Sequence, residues 1–220
     1  MGPIISLAVV VVFIVFSINV LSRIFGNYKP GKSRLQKDLQ KLKSEIEPWV
    51  SELVPLDEKE LELLSLNQIN RKRKKGIVKT AKGIFTSIYQ EPMIAYAYKK
   101  YVSSGKNALL YARTAKHEYI FRIKDDEVEI VIDDHLAGVM KKDGRFYGAK
   151  SKTLLAQVNQ GSDELLLPVL VRDKEVGSIV NPAKATSPIP RAVQYLSEMD
   201  EDEKSLFMSF AILEMVQRTS

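Results

Sequence analysis

Eleven residues near the C-terminus, Leu206 to Val216, are apolar on almost every face of the helix they would form, with only Ser209 and Glu214 interrupting. A helix that is hydrophobic nearly all round has to be enclosed by protein or by lipid. An apolar stretch of about a dozen residues is shorter than the roughly 17–25 that a membrane span needs. The rest of the chain must therefore wrap around it. The acidic cluster Asp200, Glu201, Asp202 and Glu203 complements the positive end of a helix dipole, so the helix is predicted to start near Asp200.

The enclosing layer reads as strands. From Gly76 onward the pattern has period two and is rich in β-branched and aromatic residues, with strands predicted at 77–80, 84–89, 93–102, 108–114, 118–124, 127–132, 136–141, 145–148, 153–158, 164–172 and 174–180. The breaks are turn chemistry: 103–106, 124–126, 142–144, 160–163 and 172–174. Many short strands without helices between them predict a mainly β fold, an antiparallel meander that closes as a barrel or packs as a sandwich around the terminal helix.

Two further segments precede the strands. Residues 4–21 carry no charged side chain, enough with their flanks to cover a hydrocarbon core of about 30 Å. No lysine or arginine precedes the run and no small-x-small site closes it, which favours a retained anchor at 1–22 over a cleaved signal. Arg23, Lys29, Lys32, Arg34, Lys37, Lys41 and Lys43 follow it, so the positive-inside rule puts the N-terminus outside and the folded domain in the cytoplasm. Residues 33–53 repeat apolar positions at spacings of three and four, interrupted or restarted at Pro48, and a second short helix is predicted over 57–66. These amphipathic helices make 23–70 a linker, or else offer a stripe to a partner. The barrel domain is then 71–220.

The order of these elements resembles the Tubby-like superfamily, which includes the Tubby C-terminal domain, the LURP-one-related proteins and the phospholipid scramblases. The likeness is carried by Asp134-His135-Leu136-Ala137-Gly138, Asp143-Gly144-Arg145-Phe146-Tyr147-Gly148, Leu165-Leu166-Leu167-Pro168-Val169 and Glu175-Val176-Gly177-Ser178-Ile179, followed by the apolar helix. It implies a twelve-stranded closed barrel around one helix, with lipid binding, membrane association or transcription-related roles. No counterpart of the scramblases' acidic calcium-binding segment is present, so the resemblance does not imply a calcium-dependent scramblase.

Candidate chemistry is sparse. Without cysteine, thiolate catalysis, disulfides and Cys-ligated metals are excluded. No phosphate loop, dinucleotide fingerprint, GxSxG or HExxH occurs, so no catalytic residue and no cofactor is assigned. His117, His135, Asp133 and Asp134 invite a metal or acid–base reading, yet the two aspartates follow an apolar strand where charge ordinarily marks a solvated turn. Asp125, Asp126, Glu127, Glu129, Asp133 and Asp134 form an acidic patch for calcium or a basic partner, or the wet face of a hairpin.

The net charge of +6 concentrates in one place: Arg71, Lys72, Arg73, Lys74, Lys75, Lys79 and Lys82 precede the next acid at Glu91. Such density attracts anionic lipid headgroups, or forms a solvated basic turn. Nucleic acid is disfavoured, because no aromatic side chains interleave the run for base stacking. The candidate anion-binding set is Arg71, Arg73, Lys74, Lys75, Lys79 and Lys82. Strand alternation lets Arg73, Lys75 and Lys79 share a face, with Lys82 on the other unless a bulge near Gly83 resets the register. The sequence thus reads as a non-enzymatic, single-pass membrane protein presenting a binding module to anionic phospholipid or a protein partner. The alternative is a structural accessory subunit docked among other subunits of a membrane complex.

Overall fold

The computed structural model describes residues 28, 30–76, 78–159, 164–194 and 196–219. The apolar run 4–21 and Arg23 lie outside the described residues, and among those described no helix is long and apolar enough to cross a membrane. Helices α1 (Lys32–Val50) and α2 (Glu58–Leu63) come first. Twelve strands follow: β1 (Leu64–Lys74), β2 (Lys79–Ser87), β3 (Pro92–Lys100), β4 (Asn107–Arg113), β5 (Glu118–Lys124), β6 (Glu127–Ile132), β7 (His135–Lys141), β8 (Arg145–Gly148), β9 (Leu154–Val158), β10 (Leu166–Val171), β11 (Lys174–Val180) and β12 (Val193–Gln194). Helix α3 (Glu201–Thr219) ends the fold.

The strands pair antiparallel in chain order, a continuous meander. Its two ends come together: the Leu66 N–H donates to the Pro190 carbonyl at 3.0 Å and the Ala192 N–H to the Leu64 carbonyl at 2.7 Å, with Ser65 bridged to Arg191. The result is a nearly closed barrel, which leaves few unpaired edge groups.

Helix α3 fills it. From Phe207 to Val216 no residue is more than 4% exposed, so the helix is enclosed on every side, as its all-round hydrophobicity requires. Tyr96, Phe121, Phe146, Val169 and Ile179 of the inner strand faces belong to the same core, and Phe146 meets Phe210 edge to face at 5.5 Å between ring centroids. The helix starts on a capping box: Asp200 Oδ1 accepts from the Glu203 N–H at 2.7 Å, and Glu203 Oε2 accepts from the Asp200 N–H at 3.2 Å. Its two polar interruptions are satisfied. Ser209 Oγ donates to the Leu206 carbonyl, and buried Glu214 pairs with Arg218 at 2.6 Å, which also reaches Asn181 Oδ1.

Helix α1 lies on the outside of β2–β4. Leu42 and Ile46 pack with Ile84, Ala95, Ala97, Leu109 and Tyr111 in a second core. Its apolar stripe is therefore covered by its own chain, and the helix continues through Pro48 to Val50. Helix α2 is shorter than the predicted 57–66: Asp57 caps it by accepting from the Lys59 and Glu60 N–H groups, and at Leu64 the backbone turns extended into β1. Strand β1 thus crosses from residues 64–70, read as linker, into the basic run. The predicted strands 77–80 and 84–89 are one element, Lys79–Ser87, passing through Gly83, whose missing side chain leaves room for Arg71 Cα, 3.4 Å from where a Cβ would sit.

Two glycines in the segments that carry the Tubby-like resemblance have a packing reason. A Cβ on Gly138 would lie 2.1 Å from the Tyr147 carbonyl oxygen, so only glycine lets β7 approach β8 there. Gly177 has φ +155° beside Phe207 of α3, opposite the register shift between Val169 and Leu170.

Candidate anion-binding site

The two ends of the barrel differ in charge. At the end where α3 finishes, the inner ends of β1–β5 surround a cavity of about 410 Å³. Arg73, Lys74, Lys75, Lys79, Lys100 and Lys106 line it, with no carboxylate among the described residues; Tyr98, Asn107 and Gln217 add polar groups, and Ala81, Ala108 and Ile123 an apolar floor. The register explains the convergence. Arg73 stands opposite Ala81 and Lys79 opposite Lys100, so each follows the inward row of its strand to the rim. Burial raises the Tyr98 phenol, and it pushes the Tyr96 phenol to about 12 against the opposing pull of Arg73. Tyr96 donates to Gln68 Oε1 at 2.9 Å deeper in the barrel. The carboxyl end of α3 faces this mouth, and its partial negative charge offsets only a fraction of six cations.

Four of the six predicted residues, Arg73, Lys74, Lys75 and Lys79, meet at this cavity. Lys82 does not. It stands opposite Lys72 on the outer face of the barrel, within 3.7 Å of Glu45 Oε2 and 5.4 Å of the Trp49 ring centroid, where it holds α1. Arg71 is also absent from the lining; it lies within the register shift between Ile69 and Lys72, next to Asn70 at φ 52°. Lys100, Lys106, Asn107 and Gln217 also line the cavity and lie far from the basic run in sequence, so the run does not point to them. The only local signal is a lysine at each end of the 100–106 stretch.

The opposite end is acidic. A cavity of about 460 Å³ is lined by His117, Asp133, His135, Arg172 and the first turn of α3, including Glu201, Asp202 and Glu203. Asp133 and Asp134 both have positive φ and form the two-residue turn between β6 and β7, the structural role expected of them. Burial alone would raise the Asp133 carboxyl, but hydrogen bonds from His117 and from the Glu118 N–H hold it below its usual value. The His135 ring Nδ1 sits 2.7 Å from the Asp133 carbonyl oxygen. Among the described residues no three His, Asp or Glu side chains are arranged to hold a metal ion. The acidic patch read from the sequence is divided: Asp125, Asp126 and Glu127 sit beside the cationic mouth, where Lys142 and Lys141 pair with Asp126 and Glu127, while Asp133 and Asp134 are at the far end.

Comparison with protein-family models, with curated proteins and with solved structures finds no match for this chain.

Proposed function

We propose that this protein is a non-enzymatic binding module, tethered to a membrane through residues 4–21, whose cationic mouth takes an anionic ligand at the cytoplasmic face. One observation carries the reading: six cations converge on a single cavity whose lining, among the described residues, has no carboxylate. Like charges gathered this way repel one another, and an anionic guest relieves that repulsion. Phosphate-bearing lipid headgroups are the anions a tethered domain meets first. A Tubby-like relationship belongs to the same proposal. Twelve antiparallel strands around a C-terminal helix support it, as do Gly138 at a close backbone approach and Gly177 at a positive φ.

The test is sedimentation of residues 28–220 with vesicles. The fragment should pellet with phosphatidylglycerol vesicles and stay in solution with phosphatidylcholine. Equal binding to both, or to neither at low salt, removes the headgroup reading.

The second reading, an accessory subunit of a membrane complex, draws on the barrel wall away from α1. There Leu136, Leu154 and Leu170 are 53%, 45% and 36% exposed on β7, β9 and β10. A stable hetero-complex after extraction in mild detergent favours this reading; a monomer removes it.

A further inference from the structure

The chain enters the barrel at its cationic end. Tyr28, the first described residue, forms a parallel bridge with Val102, which lies between Lys100 and Lys106 of the cavity lining. Helix α1 then runs away from that end. Asp38 near its start pairs with Lys99 at the mouth, whereas the Val54 N–H just beyond it donates to the carbonyl of Pro92, at the start of β3. Six residues lie between Leu21 and Tyr28, which makes seven steps along the chain, and an extended chain covers at most about 3.5 Å per step, so the reach from the apolar run to Tyr28 is at most about 25 Å. The far cavity, by contrast, carries Asp133, Glu201, Asp202 and Glu203 against Arg172.

From this we infer that the barrel stands mouth-down on the bilayer that holds its own tether, with Lys75 and the 101–106 turn against anionic headgroups and the start of α3 pointing away. The inference rests on the tethered reading proposed above and adds an orientation to it. Two independent features set that orientation. The short connection puts the cationic end nearest the membrane, and the charge asymmetry along the barrel gives an anionic surface an attractive pole and a repelled one. The headgroup cavity then works in cis, on lipid of the same leaflet, and bridging to a second membrane is excluded by its geometry.

The chain lacks cysteine, so single substitutions can be labelled cleanly. Ser104→Cys places a fluorophore in the exposed mouth turn, and Lys116→Cys places one in the exposed turn at the far end. The full-length chain is reconstituted in phosphatidylcholine vesicles containing phosphatidylglycerol and a headgroup-linked quencher. Quenching at Ser104 should exceed that at Lys116 several-fold, and combined Lys74→Glu, Lys79→Glu and Lys106→Glu should bring the two toward equality. Equal quenching at both ends of the parent, or stronger quenching at Lys116, overturns the orientation. If that happens while residues 28–220 still pellet with anionic vesicles, the headgroup site stands and only its placement fails. If the full-length chain is quenched as expected but the fragment binds no vesicles, the tether alone sets the orientation.

Discussion

The Tyr101 hydroxyl donates to Asp38 Oδ2 at 2.9 Å, across the seam between α1 and the barrel. Asp38 is 5% exposed and also pairs with Lys99 at 2.7 Å and Arg34 at 3.5 Å. A similar arrangement repeats along the helix: Lys43 pairs with Glu118 at 2.6 Å, and Glu118 accepts from the Tyr111 hydroxyl at 3.0 Å. The apolar stripe of α1 supplies area, and these two carboxylates supply registry. Asp38→Ala leaves Lys99 and the Tyr101 hydroxyl nearly buried without their partner, a change that costs about 3–5 kcal/mol. Asp38→Asn, which keeps an acceptor for Tyr101, should lose less. Urea midpoints of residues 28–220 check the order; a parent-like midpoint for Asp38→Ala would show that α1 contributes little to the fold.

Alkali should unfold this protein sharply. Burial raises the phenols of Tyr96, Tyr98, Tyr101, Tyr111 and Tyr119, and hydrogen bonds to Asp38 and Glu118 raise Tyr101 and Tyr111 further. The folded chain thus keeps protons that the unfolded chain releases from the ordinary value of 10.0 upward. Stability is complete below that value and falls as pH rises toward about 12, where Tyr96 titrates in the fold. Each phenol that ionises only on unfolding removes about 1.4 kcal/mol per pH unit. Tyrosinate absorbance and the β-sheet circular dichroism signal should change together above pH 10. Full ionisation of all nine tyrosines with the sheet signal intact would contradict it.

The helix inside the barrel sets the stability of the whole. Phe210 is fully buried against Phe146, and truncating such a side chain costs about 3–5 kcal/mol, out of about 5–15 for a domain of this size. Phe210→Ala should therefore lower the urea midpoint strongly, and Phe210→Asp should prevent folding. A folded, monomeric Phe210→Asp protein would mean that α3 can leave the barrel.

Much of this fold was legible because local chemistry and tertiary role agree. Strands β5, β6, β8 and β11 have the predicted bounds, since alternating apolar residues end there on turn-forming aspartates and glycines. The enclosed helix was legible from its lack of a polar face. Strand β1 was not: Asn67 and Asn70 have low strand preference, Asn70 has φ 52° within the register shift between Ile69 and Lys72, and the strand around them is held by pairing with β2 and with the closing segment 190–192. Its inward side chains at the mouth, Arg73 among them, are polar because that end of the barrel is open. The same fact hid half of the cavity. Lys100 joins Lys79 through strand register and Lys106 lies just before β4, and the two lysines at that turn do not by themselves say which face they share.

Lys79 and Lys82 lie three residues apart in β2 and face opposite sides of it, which separates ligand binding from stability. Lys79→Glu with Lys106→Glu removes two cations from the mouth, each worth about 1 kcal/mol near an anionic surface, and adds repulsion in their place. Vesicle binding should weaken by at least about 30-fold, the equivalent of roughly 2 kcal/mol, with the urea midpoint unchanged. Parent binding should also fall steeply with salt, because exposed charges are screened over about 10 Å at 0.1 M. Lys82→Glu should behave in the opposite way. Its carboxylate would face Glu45 and lose the Trp49 ring, so stability falls by about 1 kcal/mol and the midpoint with it, while vesicle binding persists. If Lys82→Glu abolished binding and the Lys79, Lys106 pair did not, the ligand surface would be the outer wall beneath α1 and the cavity would have no part in it.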